Sequence, residues 1–214
     1  MTRPDTPVPG LRERKKQRTR QLLSETAVRL FLERGYDAVS VAEVAAAAEV
    51  SKPTLFRYFP SKEDLVLHRF ADHQDEAARV VTARGEGESP LAALRRNFLD
   101  GLERRDPVTG LCDHPAVIAY QRLLYGTPSL VARLAGWQER SERALADALG
   151  GPAVPARLAA GQIAAVQRIL AEENARRIAD GESADAVASD AREAAELAFG
   201  QLAKGIEPGR NRAS

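Results

Sequence analysis

Between Gly35 and Leu65 the chain carries three helix-start signals, ten or eleven residues apart, which leave room only for short helices. Ser40 is followed three residues later by Glu43. At that spacing a serine oxygen accepts from a free backbone N–H while the carboxylate reaches back to the serine's own amide. Ser51 comes two residues before Pro53, and proline is tolerated in a first helical turn because the N–H it lacks would have had no intrahelical partner there. Pro60 ends whatever precedes it, and Ser61 with Asp64 opens another helix. The pattern predicts helices over about 41–48 and 52–58, and a long fourth one from Ser61 to roughly Thr82.

A longer first helix is expected over 12–34, with Leu23, Ala27, Leu30 and Phe31 at the spacing of one buried stripe and Gly35 placed to end it. Its first turns hold Arg12, Arg14, Lys15, Lys16, Arg18 and Arg20. Cations at a helix N-terminus oppose the macrodipole, so the cluster is unfavourable without an anion from outside; the plainer reading is a solvated run of charge. Ahead of it, Pro4, Pro7, Pro9 and Gly10 predict a flexible arm over 1–11. After it, the polar stretch Arg84 to Pro90 is the best place for a domain boundary. Helical periodicity then continues over about 91–104, 115–124, 127–149, 155–180 and 183–205, and the residues from 206 to 214 read as a frayed tail. The fold class is all-α.

Composition narrows the function classes. The net charge of +1 hides an asymmetry: residues 1–62 carry 12 Lys and Arg against 7 Asp and Glu, whereas the remainder carries 19 against 23. A basic front is the electrostatic footprint of a nucleic-acid binder, though also common on ordinary solvated faces. No apolar run approaches the ~20 residues of a membrane span, and the polar, proline-rich start is unlike a signal peptide, so a cytoplasmic protein with no membrane partner is expected. The single cysteine, Cys112, offers neither an intramolecular disulfide nor the paired spacing of a zinc site. No cofactor and no metal are expected.

Two short helices joined by a tight turn behind a longer one are the ingredients of a helix-turn-helix, whose second helix enters the major groove, although many all-α cores contain such helices. The wording of the segment goes further: Phe31, Gly35-Tyr36, Ser40-Val41, Val44-Ala45, Ala48, Val50-Ser51, Pro53-Thr54-Leu55-Phe56, Tyr58-Phe59 and Ser61-Lys62-Glu63-Asp64-Leu65. This closely resembles the DNA-binding domain of the tetracycline-repressor (TetR) family, almost unbroken from Arg18 to Leu65. Two positions depart from it: Glu49 stands where the family usually has a turn glycine, and Phe56 where it usually has a tyrosine able to donate to phosphate.

The resemblance implies a helix-turn-helix domain over 12–62 and a helical effector-binding and dimerisation domain over 63–205. It implies that Lys52 and Pro53 face base edges, lysine toward guanine acceptors and proline toward a thymine methyl. Thr54, Tyr58 and Lys62 would hold phosphates, helped by Ser40 and by the basic run including Arg18, while Arg57 fits either role. Val44, Ala45, Val50, Leu55 and Phe59 are core by period and composition.

For the second domain the resemblance implies a small-molecule cavity and a homodimer formed by the last two long helices. Apolar stripes support the dimer independently: Leu158, Ile163, Val166, Ile169 and Leu170 on one helix, and Ala191, Ala194, Ala195, Leu197, Ala198 and Leu202 on the other. Packing within one chain explains the same stripes as an alternative. Cavity candidates are Phe98, Leu102, Tyr120, Leu124, Tyr125 and Trp137, with Gln121 and Arg122 as polar handles; each is also ordinary core by its spacing. The stretch from Arg122 to Arg133 looks like the effector domain of actinobacterial members of the family that sense acyl-coenzyme-A-like molecules, including regulators of mycofactocin genes. It implies an apolar effector with an anionic head near arginine. The expected partners are a near-palindromic double-stranded operator, a second copy of the chain and that effector, and the expected function is a ligand-responsive repressor.

Two other classes stay open. An enzyme would need a nucleophile with its base, or a metal set. His68 and His73 lie five apart on a helical pattern and do not share a face, and adjacency in Cys112-Asp113-His114 does not make a dyad. A helical adaptor binding protein alone would not need the helix-turn-helix wording.

Overall fold

The structure, a computed structural model, describes residues 10–70, 73 and 75–205. The expected arm, up to residue 9, and the expected tail from 206 lie outside the described residues. Every regular element among those described is helical: α1 (Leu11–Arg34), α2 (Val41–Ala47), α3 (Lys52–Tyr58), α4 (Lys62–Leu67), α5 (Glu76–Thr82), α6 (Pro90–Glu103), α7 (Pro115–Gly126), α8 (Pro128–Leu149), α9 (Ala153–Ala179) and α10 (Ala184–Lys204), with short 3₁₀ turns at His68–Phe70 and Pro107–Thr109. None of these helices is long and apolar enough to cross a membrane. The chain forms two compact units, one of residues 1–71 with 122–134, the other of 72–121 with 135–214.

In the first unit α1 buries the stripe read from the sequence, Leu23, Ala27, Leu30 and Phe31. It ends at Gly35, which adopts φ +91° and donates its amide to Phe31 O at 2.9 Å. Ser24, buried on the same face, donates its hydroxyl to Leu65 O at 2.7 Å and fastens α1 to α4. Leu65, Val66 and Leu67 are fully buried, each contributing roughly 1.5–3 kcal/mol over an exposed side chain. The border expected after residue 62 therefore falls inside this core, and the unit runs on to residue 71.

The fourth helix does not reach Thr82 in one piece. It stops at Leu67, a 3₁₀ turn follows, and α5 starts afresh at Glu76. His68, His73 and Asp75 concentrate weak helix formers there, and His73 Nδ1 lies 2.6 Å from Glu76 Oε2 at the restart.

In the second unit, Leu94, Phe98, Leu99 and Leu102 of α6 meet Ala191, Ala195 and Phe199 of α10 and Ala160, Ile163 and Ile178 of α9 in one apolar cluster. Small residues let the helices approach closely. The approach is tightest at Gly110 (φ +74°), where an added Cβ would lie 1.9 Å from the carbonyl oxygen of Ala171. Buried Asn174 closes this seam by donating to Thr109 O at 2.9 Å. The stretch expected as a domain boundary, 84–90, lies within this unit. It is organised by Glu88, which accepts from the Gly85 amide and from Arg96, and by Ser89, which caps α6.

Candidate nucleic-acid interface

The start of α2 is a reciprocal cap. Ser40 Oγ accepts from the Glu43 amide at 3.2 Å, and Glu43 Oε2 accepts from the Ser40 amide at 2.8 Å. Glu43 also accepts from Arg34 at 2.7 Å, which ties the end of α1 to the start of α2. These bonds, with the Ser40 amide foremost, hold the Glu43 carboxyl down at about 2. Val44 and Ala45 bury the inner face of α2.

The turn after α2 closes by a pair of bonds: the Val50 amide reaches Ala45 O at 2.9 Å and the Glu49 amide reaches Ala46 O at 3.1 Å. This pairing places its penultimate residue in the left-handed region, where glycine is the usual occupant. Glu49 takes that position, at φ +55°. The chain then enters α3, capped by Ser51, whose hydroxyl accepts from the Thr54 amide at 3.2 Å and lies 2.8 Å from Thr54 Oγ1.

Leu55 and Phe59 anchor α3 from below, both almost wholly buried. Its opposite face is thereby fixed outward, with Lys52, Pro53, Phe56 and Arg57 exposed and Thr54 and Tyr58 half-buried. The Arg57 guanidinium lies 5.6 Å from the Tyr58 ring centre. Arg18 projects into solvent from α1. An outward face of two cations and two apolar side chains on a two-turn helix suits the donors, acceptors and methyl groups of a major groove.

Lys62 is placed otherwise than expected. Its ammonium donates to Tyr36 O and lies over the Tyr36 and Phe31 rings, 4.1 and 5.1 Å from their centres. Burial lowers its pKa. The side chain closes the turn after α1 against the start of α4 instead of reaching into solvent for a phosphate. Beside it the Tyr36 hydroxyl donates to Glu63 Oε1 at 2.9 Å, and burial raises its pKa. One residue on, Asp64, almost wholly buried, accepts both arms of the Arg133 guanidinium, at 3.0 and 3.1 Å. Sequence reasoning gave neither Tyr36–Glu63 nor Asp64–Arg133.

Residues 23–68, which hold this cap, turn and outward face, match the family described as bacterial regulatory proteins, tetR family. The family match rests on this segment of the chain. Among curated proteins the chain is similar to the HTH-type transcriptional regulator TcmR of Streptomyces glaucescens, 37% identical over 139 residues, a match spanning 64% of this chain and 62% of TcmR. A Mycobacterium tuberculosis protein named for the regulation of mycofactocin biosynthesis, MftR, is 26% identical over 146 residues, 64% of this chain and 69% of that one. In fold the chain is similar to a TetR-family regulator of Streptomyces coelicolor, with a TM-score of 0.54 at 24% identity over 90% of this chain and 98% of the other.

The cavity candidates divide between the two units. Phe98 and Leu102 pack in the second unit's core, with Phe98 6.0 Å from the Phe199 ring centre. Tyr120 is buried and Gln121 half-buried in the same unit. Trp137 is half-buried there, its indole N–H shielded from solvent without an acceptor among the described residues, and the Arg140 guanidinium lies 5.0 Å from its ring centre. Arg122, Leu124 and Tyr125 instead belong to the first unit, Leu124 fully buried and the other two exposed. Arg133, the other arginine of the stretch that suggested an anionic effector, is engaged by Asp64.

The dimer candidates divide by exposure. Leu158, Ile169 and Leu197 leave 61, 56 and 64% of their surface uncovered. Val166 and Ala198 are half-buried, and Leu202 packs against its own unit's core.

Proposed function

We propose that this protein is a cytoplasmic transcriptional repressor that binds a near-palindromic operator as a homodimer and is released by a small molecule. The observation that carries the reading is the outward face of α3, held at a fixed angle by Leu55 and Phe59. On it Lys52 and Pro53 meet base edges, Arg57 meets a base or a phosphate, and Thr54 and Tyr58 flank them at the phosphate backbone. Ser40 lies at the start of α2 for a phosphate on the other side, and Arg18 extends the contact along the backbone. Lys62 shapes the domain from within.

The uncovered Leu158, Ile169 and Leu197 support a two-fold contact through α9 and α10. Such a dimer presents two copies of α3 to successive major grooves, about 34–36 Å apart. The effector domain runs from 63 to 205 apart from the residues that complete the first unit. An effector touching Phe98, Leu102, Tyr120, Gln121 and Trp137 finds an indole N–H that has no acceptor among the described residues. The resemblance of residues 122–133 to members of the family that sense acyl-coenzyme-A-like molecules favours an apolar molecule of that type.

The test is a titration of fluorescent DNA from upstream of the protein's own gene against a scrambled duplex, across a salt series. Tight binding to one fragment, falling steeply with salt and lost in Lys52→Ala, is expected. No binding to either fragment at low salt would overturn the reading.

A further inference from the structure

Phe56 is out of place by the logic that explains the rest of α3. Leu55 and Phe59 bury nearly all their surface, but Phe56 leaves 40% of its own uncovered and faces outward with Lys52 and Pro53. Lacking a hydroxyl, it has nothing to donate to a phosphate. One turn earlier, Lys52 sets its ammonium 5.9 Å from the Phe56 ring centre, an arrangement in which the ring's negative face restrains an otherwise mobile cation.

A helix face that met only sugar and phosphate would gain nothing from an exposed phenyl ring. Base edges supply one strongly apolar group in the major groove, the C5-methyl of thymine, and supply the paired acceptors O6 and N7 of guanine for a lysine. The 5.9 Å between ammonium and ring corresponds to one or two base steps of about 3.4 Å.

We propose that Lys52 and Phe56 read sequence as a unit, Lys52 donating to a guanine while the Phe56 ring packs on the methyl of a thymine one or two steps away. The inference deepens the DNA-binding reading above and rests on it. The specificity it assigns is to duplex DNA carrying a guanine and a methyl-bearing pyrimidine at that separation in each half-site.

The full-length protein is used to select its preferred duplex from random sequence, and each thymine of that duplex is then replaced by deoxyuridine, which removes the methyl and nothing else. One thymine per half-site, one or two steps from a guanine, should weaken binding about fourfold on replacement, the worth of one buried methyl. The penalty should persist in Phe56→Tyr and in Pro53→Ala and vanish in Phe56→Ala. Replacing the guanine by 7-deazaguanine should weaken wild type more than Lys52→Met. Phe56 is partly covered, so the alanine variant is compared at a temperature where its melting curve shows it folded. A uracil penalty at that thymine that survives Phe56→Ala, or a preferred site with no thymine whose penalty depends on Phe56, would overturn the proposal while leaving DNA binding intact. Failure to select any sequence would overturn both.

Discussion

Glu49 should be replaceable by glycine with a gain in stability. Among the described residues, three helix ends use the same pair of closing bonds. At the end of α2 they run from Val50 to Ala45 and from Glu49 to Ala46, at the end of α6 from Asp106 to Gly101 and from Arg105 to Leu102, and at the end of α9 from Glu182 to Arg177 and from Gly181 to Ile178. The residue forced left-handed is Glu49 at φ +55°, Arg105 at +54° and Gly181 at +102°. An L-residue there costs roughly 1–2 kcal/mol. A glycine returns about 0.4–1 kcal/mol of that through the freedom it adds to the unfolded chain. The net gain for Glu49→Gly is then about 0.5–1 kcal/mol. In urea unfolding followed by helical circular dichroism, with a slope of about 2 kcal/mol per molar, the midpoint should rise by about 0.3–0.5 M with the slope unchanged. Glu49→Ala removes the same carboxylate but keeps the Cβ, so it should not show the rise. Equal midpoints for the two variants would refute the backbone argument and leave charge removal as the cause. Glu49 suits the comparison better than Arg105, which also pairs with Asp185 at 2.7 Å.

Further outcomes follow from features of either unit. The Glu43 carboxyl is held down at about 2, so its contribution is complete above its unfolded value near 4.3 and is lost as pH falls from there toward 2; urea midpoints of Glu43→Gln should fall less over that window than those of wild type. Arg133→Met strips buried Asp64 of both its charged bonds and should cost about 2 kcal/mol, seen as a lower urea midpoint, with wild-type stability disproving a structural role for the pair. Leu197→Lys places a charge on the uncovered face of α10, and sedimentation velocity should show the monomer where wild type sediments as a dimer.

What was legible in the sequence was local. Serine caps act over three residues and the apolar stripe of α1 repeats over one or two turns, so the caps at Ser40, Ser51 and Ser61 and the burial of Leu23, Ala27 and Phe31 could be read directly. Lys62 was harder, since its placement depends on a carbonyl 26 residues earlier. Asp64–Arg133 spans 69 residues, with no periodicity to announce it. The break after Leu67 was masked by apolar residues on either side of it. The 3₁₀ turn at Pro107–Thr109 had a readable signal, an aspartate before a proline, and Asp106 does accept from the Val108 amide at 3.1 Å.

The membership of residues 122–134 in the first unit sets an order of events during synthesis. The helix-turn-helix emerges first, but Leu124, Leu130 and the partner of Asp64 follow only after about fifty to sixty more residues. At about 5–20 residues per second the nascent head waits on the order of several seconds for them. Through that interval Asp64 is without its guanidinium, and a fragment cut near residue 71 would remain in that state permanently. A stand-alone DNA-binding head made from this chain therefore needs the 122–134 strap supplied with it, spliced on or added in trans.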